Sequence, residues 1–156
     1  MATTIRSINE TREKEKSKNK KERIDFLEKQ THETIKLGTI SHNLGNILMG
    51  HKDQLPACWN TDLVKEVQIG YAQGSLWFAH HDENGGIVAL RQHKGGVMGD
   101  GKAKWYLMHH LKKYDRAKVL YICEGEKDAV TLRSIGFEST SVTTGCNSIP
   151  KKADGS

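Results

Sequence analysis

The sequence predicts a mixed α/β (α+β) protein behind a charged N-terminal arm. Three observations predict it. Ser75 to His80 and Ile87 to His93 are two β-favouring runs joined by D-E-N-G-G. Val119 to Asp128 reads V-L-Y-I-C-E-G-E-K-D, an apolar run that ends abruptly in charge and a glycine. A helical pattern and then a second β-rich run follow it, the order of a βαβ unit.

The arm comes first. Arg12 to Arg23 contains no apolar residue. Arg6 to Lys29 holds nine basic and six acidic residues, leaving 15 basic and 13 acidic elsewhere in a chain of net charge +5. The excess therefore sits largely in the arm, and global charge is weak evidence for a nucleic-acid partner. Such a segment forms a solvated helix through Glu/Lys pairs one turn apart, or no fixed structure. A basic arm that touches nucleic acid is the competing reading. Ile24, Phe26, Leu27, Ile35 and Leu37 predict a helix over about Asn19 to Lys36, stopped by Gly38.

Gly45, Gly50 and Pro56 break up the next stretch, which leaves a short helix near Asn43 to Met49. Thr61-Asp62 reads as a helix start with Leu63, Val64 and Val67 on its apolar face and Gly70 at its end. In the hairpin, Asn84, Gly85 and Gly86 are suited to the positive φ of a tight turn. Gly95, Gly96, Gly99 and Gly101 predict a loose loop around Asp100. Lys102 to Leu107 interleaves basic and aromatic residues, and His109 to Tyr114 reads as a short helix or turn. Beyond the buried strand expected at Val119 to Cys123, Glu126 to Ile135 places Ala129, Val130, Leu132 and Ile135 on one helical face. Gly136 suits its C-cap, and Ser139 to Thr144 is the second, parallel strand.

Composition bounds the rest. At 156 residues, 36% hydrophobic and 28% charged, there is room for one domain plus a tail. Cys58, Cys123 and Cys146 lack the close spacing of a zinc knuckle, and their odd number does not suggest a disulfide framework. No apolar run approaches the roughly 18 residues that span a bilayer, and no apolar signal core follows the N-terminus. A soluble, reduced, cytoplasmic protein without a membrane partner is expected.

Glu124 is the candidate for chemistry. Open α/β sheets bind ligands beyond the carboxyl ends of their strands, and a carboxylate there can move protons or hold a metal at a phosphate. An acid near a helix N-terminus also favours the helix dipole without any further role. Glu126 and Asp128, in the first helical turn, fit that plainer explanation well. Glu124, at the strand end before Gly125, fits it less well.

Strand, E-G-E-K-D-A, helix, I-G-F, strand, T-G resembles the first half of a Toprim domain, the metal-dependent module of bacterial-type primases, topoisomerases and some nucleases. The preceding S-L-W-F-A-H-H-D-E-N-G-G-I-V-A-L-R-Q-H, followed by G-K-A-K-W-Y-L, resembles the primase branch. The similarity spans about Ile69 to Gly145 and implies a primase-like N-terminal hairpin subdomain followed by the first βαβ half of a Toprim fold. The boundaries expected are an arm at 1–38, the hairpin subdomain at 39–115 and a partial Toprim domain at 116–156.

The resemblance implies roles. Glu124 matches the Toprim glutamate of general acid/base or metal chemistry, and Asp128 the auxiliary metal carboxylate one helical turn on. Gly125 and Gly145 match the turn glycines. Lys104 matches the lysine of the primase basic groove. Arg91 and His93 both fit the adjacent basic position, and Lys94 and Lys102 join them as nucleic-acid candidates. A solvated loop explains the same lysines.

The implied parent activity is RNA primer synthesis in DNA replication, with magnesium, a single-stranded DNA template, nucleoside triphosphates and a replicative helicase as partners. The pattern departs from the family where the later Asp-x-Asp strand should stand, since the only acid after Gly145 is Asp154. A zinc ribbon and a helicase P-loop are also missing. The expectation is therefore a truncated phage or mobile-element primase-like protein. A catalytically inactive nucleic-acid-binding remnant and another Toprim enzyme of nuclease or topoisomerase type are the alternatives. A topoisomerase needs a nucleophilic tyrosine, and Tyr71, Tyr106, Tyr114 and Tyr121 all suit structural places better.

Overall fold

A computed structural model describes residues 2–102 and 104–142. Gly145, Cys146 and the last residues of the predicted strand at Ser139 to Thr144 lie outside the described residues. The chain forms two units that meet between Glu33 and Thr34.

The first unit is the leading part of α1 (Ala2–Met49). Its side chains from Ile5 to Glu33 bury nothing fully, and Ile5, Ile8, Ile24, Phe26 and Leu27 are exposed. Local pairs support the helix instead. Arg6 faces Glu10 at 3.5 Å and Lys18 faces Glu22 at 4.0 Å, one turn apart and in water. Each is worth a few tenths of a kcal/mol.

The second unit begins on the same helix, which corrects two expectations. Gly38 does not stop it, and Asn43 to Met49 is not a separate element. Leu37, Ser41, Leu44 and Leu48 recur at helical spacing and are buried. Their burial outweighs the roughly 1 kcal/mol that a mid-helix glycine costs relative to alanine. A 3₁₀ turn at Lys52–Gln54 precedes α2 (Thr61–Glu66), whose N-cap is Asn60, its side chain accepting from the N–H groups of Asp62 and Leu63.

Gly70 does not end α2. Val67 caps it, and Gly70 lies inside β1 (Ile69–Ala72). β2 (Ser75–His81), β3 (Ile87–Gln92) and β4 (Val97–Gly99) complete an antiparallel sheet in the order β1-β2-β3-β4. The predicted hairpin is β2–β3, with Ala79 opposite Leu90. Of Asn84, Gly85 and Gly86, only Gly85 takes a positive φ, +87°. The turn is held by Asp82, whose carboxylate accepts from the N–H groups of Asn84 and Gly86. The glycine-rich stretch after His93 is not all loop, since Val97–Gly99 pairs with β3.

Alternation along β2 covers both faces of this sheet. Leu76 and Phe78 join Leu48, Val64, Ile69, Tyr106 and Val130 in one core. Trp77 and Ala79 join Leu37, Leu44 and Leu90 in another. After α3 (Met108–Lys112) come β5 (Leu120–Cys123), α4 (Glu126–Ser134) and β6 (Glu138–Ser141), a parallel βαβ unit in which Ile122 lies opposite Thr140. Gly136 closes α4 with φ +98°.

Two expectations fail in this unit. β5 is not buried, because Val119 is 68% and Ile122 63% exposed. Among the described residues it is the end strand of a two-stranded sheet, so little covers it. Ala129 and Val130 do face the core, but Ile135 is 57% exposed. The unit is tied to the hairpin region through Tyr106, whose N–H donates to the Ser141 carbonyl at 2.8 Å and whose own carbonyl accepts from the Thr140 hydroxyl at 2.6 Å. No helix among the described residues is long and apolar enough to cross a membrane.

Candidate functional site

Glu124 stands directly after β5, and Gly125 is the N-cap of α4. Gly125 has φ −141°, extended backbone that any residue adopts, and a Cβ there would meet nothing within 4 Å. Neither its conformation nor its surroundings demand glycine. Glu124 and Asp128 are exposed. The described residues contain no group of three or more His, Cys, Asp or Glu side chains gathered for a metal ion.

The buried carboxylate is instead Glu126, which the sequence alone presented as an ordinary helix-start acid. Its Oε1 lies 3.1 Å from Nε2 of His80 on β2, with 15% of the Glu126 side chain exposed and none of His80. Burial lowers the His80 pKa, while the bond to Glu126 opposes that shift. The Glu126 pKa is lowered as well. Burial is the largest influence and raises it, but the hydrogen bond and charge of His80 together with Arg91 outweigh burial. The pair at neutral pH is thus a neutral imidazole donating Nε2–H to a carboxylate. The opposite nitrogen, Nδ1, has no partner among the described residues.

Several of the sequence-predicted cations converge on this pair. Arg91 and Lys104 both act on His80 through their charge. Arg91 donates to the Gly101 carbonyl at 2.9 Å. Lys104 donates to Asp100 at 2.8 Å, and the Lys102 N–H donates to the same carboxylate at 3.0 Å. The bond from Lys104 is the main reason the Asp100 pKa is lowered. His93 rests edge-on against Phe78 with centroids 6.4 Å apart. Its pKa is lowered by burial and then by Lys127 and Lys94, while Glu126 and Asp128 oppose the shift. Arg91 and His93 therefore lie within electrostatic reach of the first turn of α4, while Lys94 acts on His93 and Lys104 on His80. Lys102 is exposed, and Glu124 takes part in none of these interactions.

Sequence reasoning missed the histidines. Both imidazoles of His80 and His81 are buried, and the pairing of β2 with β3 shifts register between them. His81 Nε2 meets Gln68 Oε1 at 2.7 Å, and its ring lies 4.2 Å from that of His109, which in turn lies 4.3 Å from that of His110. His109 and His110 also line an open cleft of about 550 Å³ with Glu66, Lys113, Arg133 and Glu138. The run H-H at two places was the available signal, and neither helical nor strand periodicity brings the two runs together.

No family model matches the chain, and no curated protein does. Among solved structures it is similar to a chain in the complex of bacteriophage T7 lagging-strand DNA polymerase with the primase domains of two gp4 subunits bound to an RNA/DNA hybrid and dTTP. The identity is 17% and the TM-score 0.44, over 56% of this chain and 44% of that one. The chain thus spans less than half the length of its structural neighbour, and a likeness this weak assigns neither fold nor activity.

Proposed function

We propose that this chain carries the nucleic-acid-facing part of a Toprim primase-like protein of DNA replication, whose activity is RNA primer synthesis on single-stranded DNA. The observation that carries the reading is the meeting of two sequence motifs in one place. Arg91 and His93, at the end of β3, lie within electrostatic reach of Glu126 in the E-G-x-x-D stretch that opens α4, Lys104 acts on His80 through its charge, and the His80–Glu126 bond joins them. A cationic surface beside carboxylates is what a template strand and a triphosphate both require.

Magnesium belongs to this proposal, with Glu124 and Asp128 as the carboxylates to hold it. Magnesium is commonly bound by one or two carboxylates together with substrate phosphates. These two alone do not make a site among the described residues, and no step is assigned to the ion. The exposure of Glu124 supports the second reading, a binding protein without turnover.

Filter binding of single-stranded DNA tests both. Binding should weaken steeply with salt, and Lys104→Ala should reduce the salt slope by about one charge. Primer synthesis from nucleoside triphosphates with magnesium, lost in Glu124→Gln while DNA binding persists, supports the enzyme. Salt-dependent binding with no turnover supports the binding protein. Salt-independent binding, or none, overturns both.

A further inference from the structure

We infer that His80 and Glu126 are positioning residues: their buried hydrogen bond ties the Glu124–Gly125 turn to the hairpin sheet and so holds the E-G-x-x-D carboxylates in register with Arg91, His93 and Lys104. The inference rests on the functional reading above only for what the turn is for. The tie itself stands on geometry.

Four observations carry it. His80 is completely buried on β2, and its bond to Glu126 at 3.1 Å crosses from the antiparallel sheet to the βαβ unit. Glu126 is the first residue of α4 and sits two positions after Glu124. The N-cap of α4 is Gly125, which offers no side-chain cap, and no atom packs where its Cβ would lie. The start of this helix therefore lacks the device that usually fixes one. Finally, Tyr121 and Ile122 of β5 are exposed, and next to the turn only the half-buried Cys123 packs against the core from the strand side. Ala129 and Val130 anchor the following turn in the core, and on the helix side Glu126 supplies the side-chain hydrogen bond next to the turn.

Stability alone is a poor explanation of the pair. A buried imidazole whose Nδ1 has no partner among the described residues pays desolvation that an apolar residue of similar size avoids. Buried polar pairs are best attested as devices that fix register, and here the register is that of a turn against a sheet.

Amide exchange and ¹⁵N-resolved spectra of the full chain test this. The Ala129 N–H donates to the Gly125 carbonyl at 3.2 Å and closes the turn. In Glu126→Ala it should exchange about tenfold faster or more relative to Ala79 and Leu90 of the antiparallel sheet. The Glu124 and Gly125 resonances should shift in the same variant. Glu126→Gln keeps an oxygen that can accept from His80 and should return both signals most of the way, and it serves as the tested variant where the alanine fails to fold. Glu126→Ala placed on His80→Ala should add little. Uniformly faster exchange across the chain, unmoved Glu124 and Gly125 resonances, or a Gln variant displaced as far as the Ala variant overturns the inference. These measurements need neither DNA nor metal, so failure of the functional reading leaves their outcome intact and separately visible.

Discussion

Mild acid should destabilise this protein through His81. The side chain is buried, the residue being 2% exposed, and Nε2 donates to the Gln68 carboxamide oxygen at 2.7 Å. The proton of the neutral ring is therefore on Nε2, and acid must add the second at Nδ1, a buried atom with no partner among the described residues. Burial is the main cause that drives the pKa of His81 down from 6.5 to about 3. His109, His80 and His110 push the same way, and Asp82 opposes them.

The sign follows from linkage. Below pH 6.5 the unfolded chain binds a proton that the folded chain refuses, so stability is full above that pH and falls as pH drops. The loss grows by about 1.4 kcal/mol per pH unit, or about 2 kcal/mol on going from pH 7.5 to pH 5. Any folded pKa below about 4 gives nearly the same figure at pH 5, so the expectation does not depend on how deep the depression runs. Denaturant unfolding followed by tryptophan fluorescence measures it, because Trp59 and Trp77 are buried. His81→Gln should remove about 2 kcal/mol of the pH dependence, with a remainder from His80, His109 and His110, whose pKa values are also lowered. A midpoint that stays constant over this range, or a variant with the parent's slope, refutes the reasoning.

Two glycines of the same unit should respond to alanine with opposite sign. A Cβ at Gly70 would lie 2.4 Å from Leu44 Cβ and 2.9 Å from the Leu44 carbonyl carbon, so Gly70→Ala must displace α1 backbone and cost about 2–3 kcal/mol in denaturant unfolding. Gly38→Ala meets nothing within 4 Å inside a helix and should stabilise by up to about 1 kcal/mol in the same assay. Asn60→Ala removes the side-chain cap of α2 and should lower the unfolding free energy by about 1 kcal/mol, while Asn60→Gly should cost only a few tenths.

What the sequence made legible was whatever rests on local chemistry. The β2–β3 hairpin follows from alternation and a glycine at the one position with φ +87°. The βαβ unit follows from an apolar run, a helical face and Gly136. What escaped rests on tertiary contact. β1 pairs with β2 through a turn at Gln73 and Gly74, both with positive φ, and glutamine carries no turn signal. Lys94 and Leu107 adopt positive φ as well, again against local preference. The continuity of α1 through Gly38 depends on the faces of Leu37, Leu44 and Leu48 finding partners more than 20 residues away, among them Trp77 and Phe78. At the candidate site the motif pointed to Glu124, and the structure drew attention two residues further, to Glu126. The reason is physical. A strand-end acid is visible in one dimension, whereas a hydrogen bond between β2 and α4 is a property of how two sheets meet.

The bare side of β5 has a practical corollary. A short strand whose outer backbone groups have no partner among the described residues, and which shows Tyr121 and Ile122 to water beside Val119, is adhesive towards any other extended chain. Solutions of this protein should cloud or self-associate as they are concentrated, and a lysine at Ile122, pointing into solvent, is the simplest way to keep them clear.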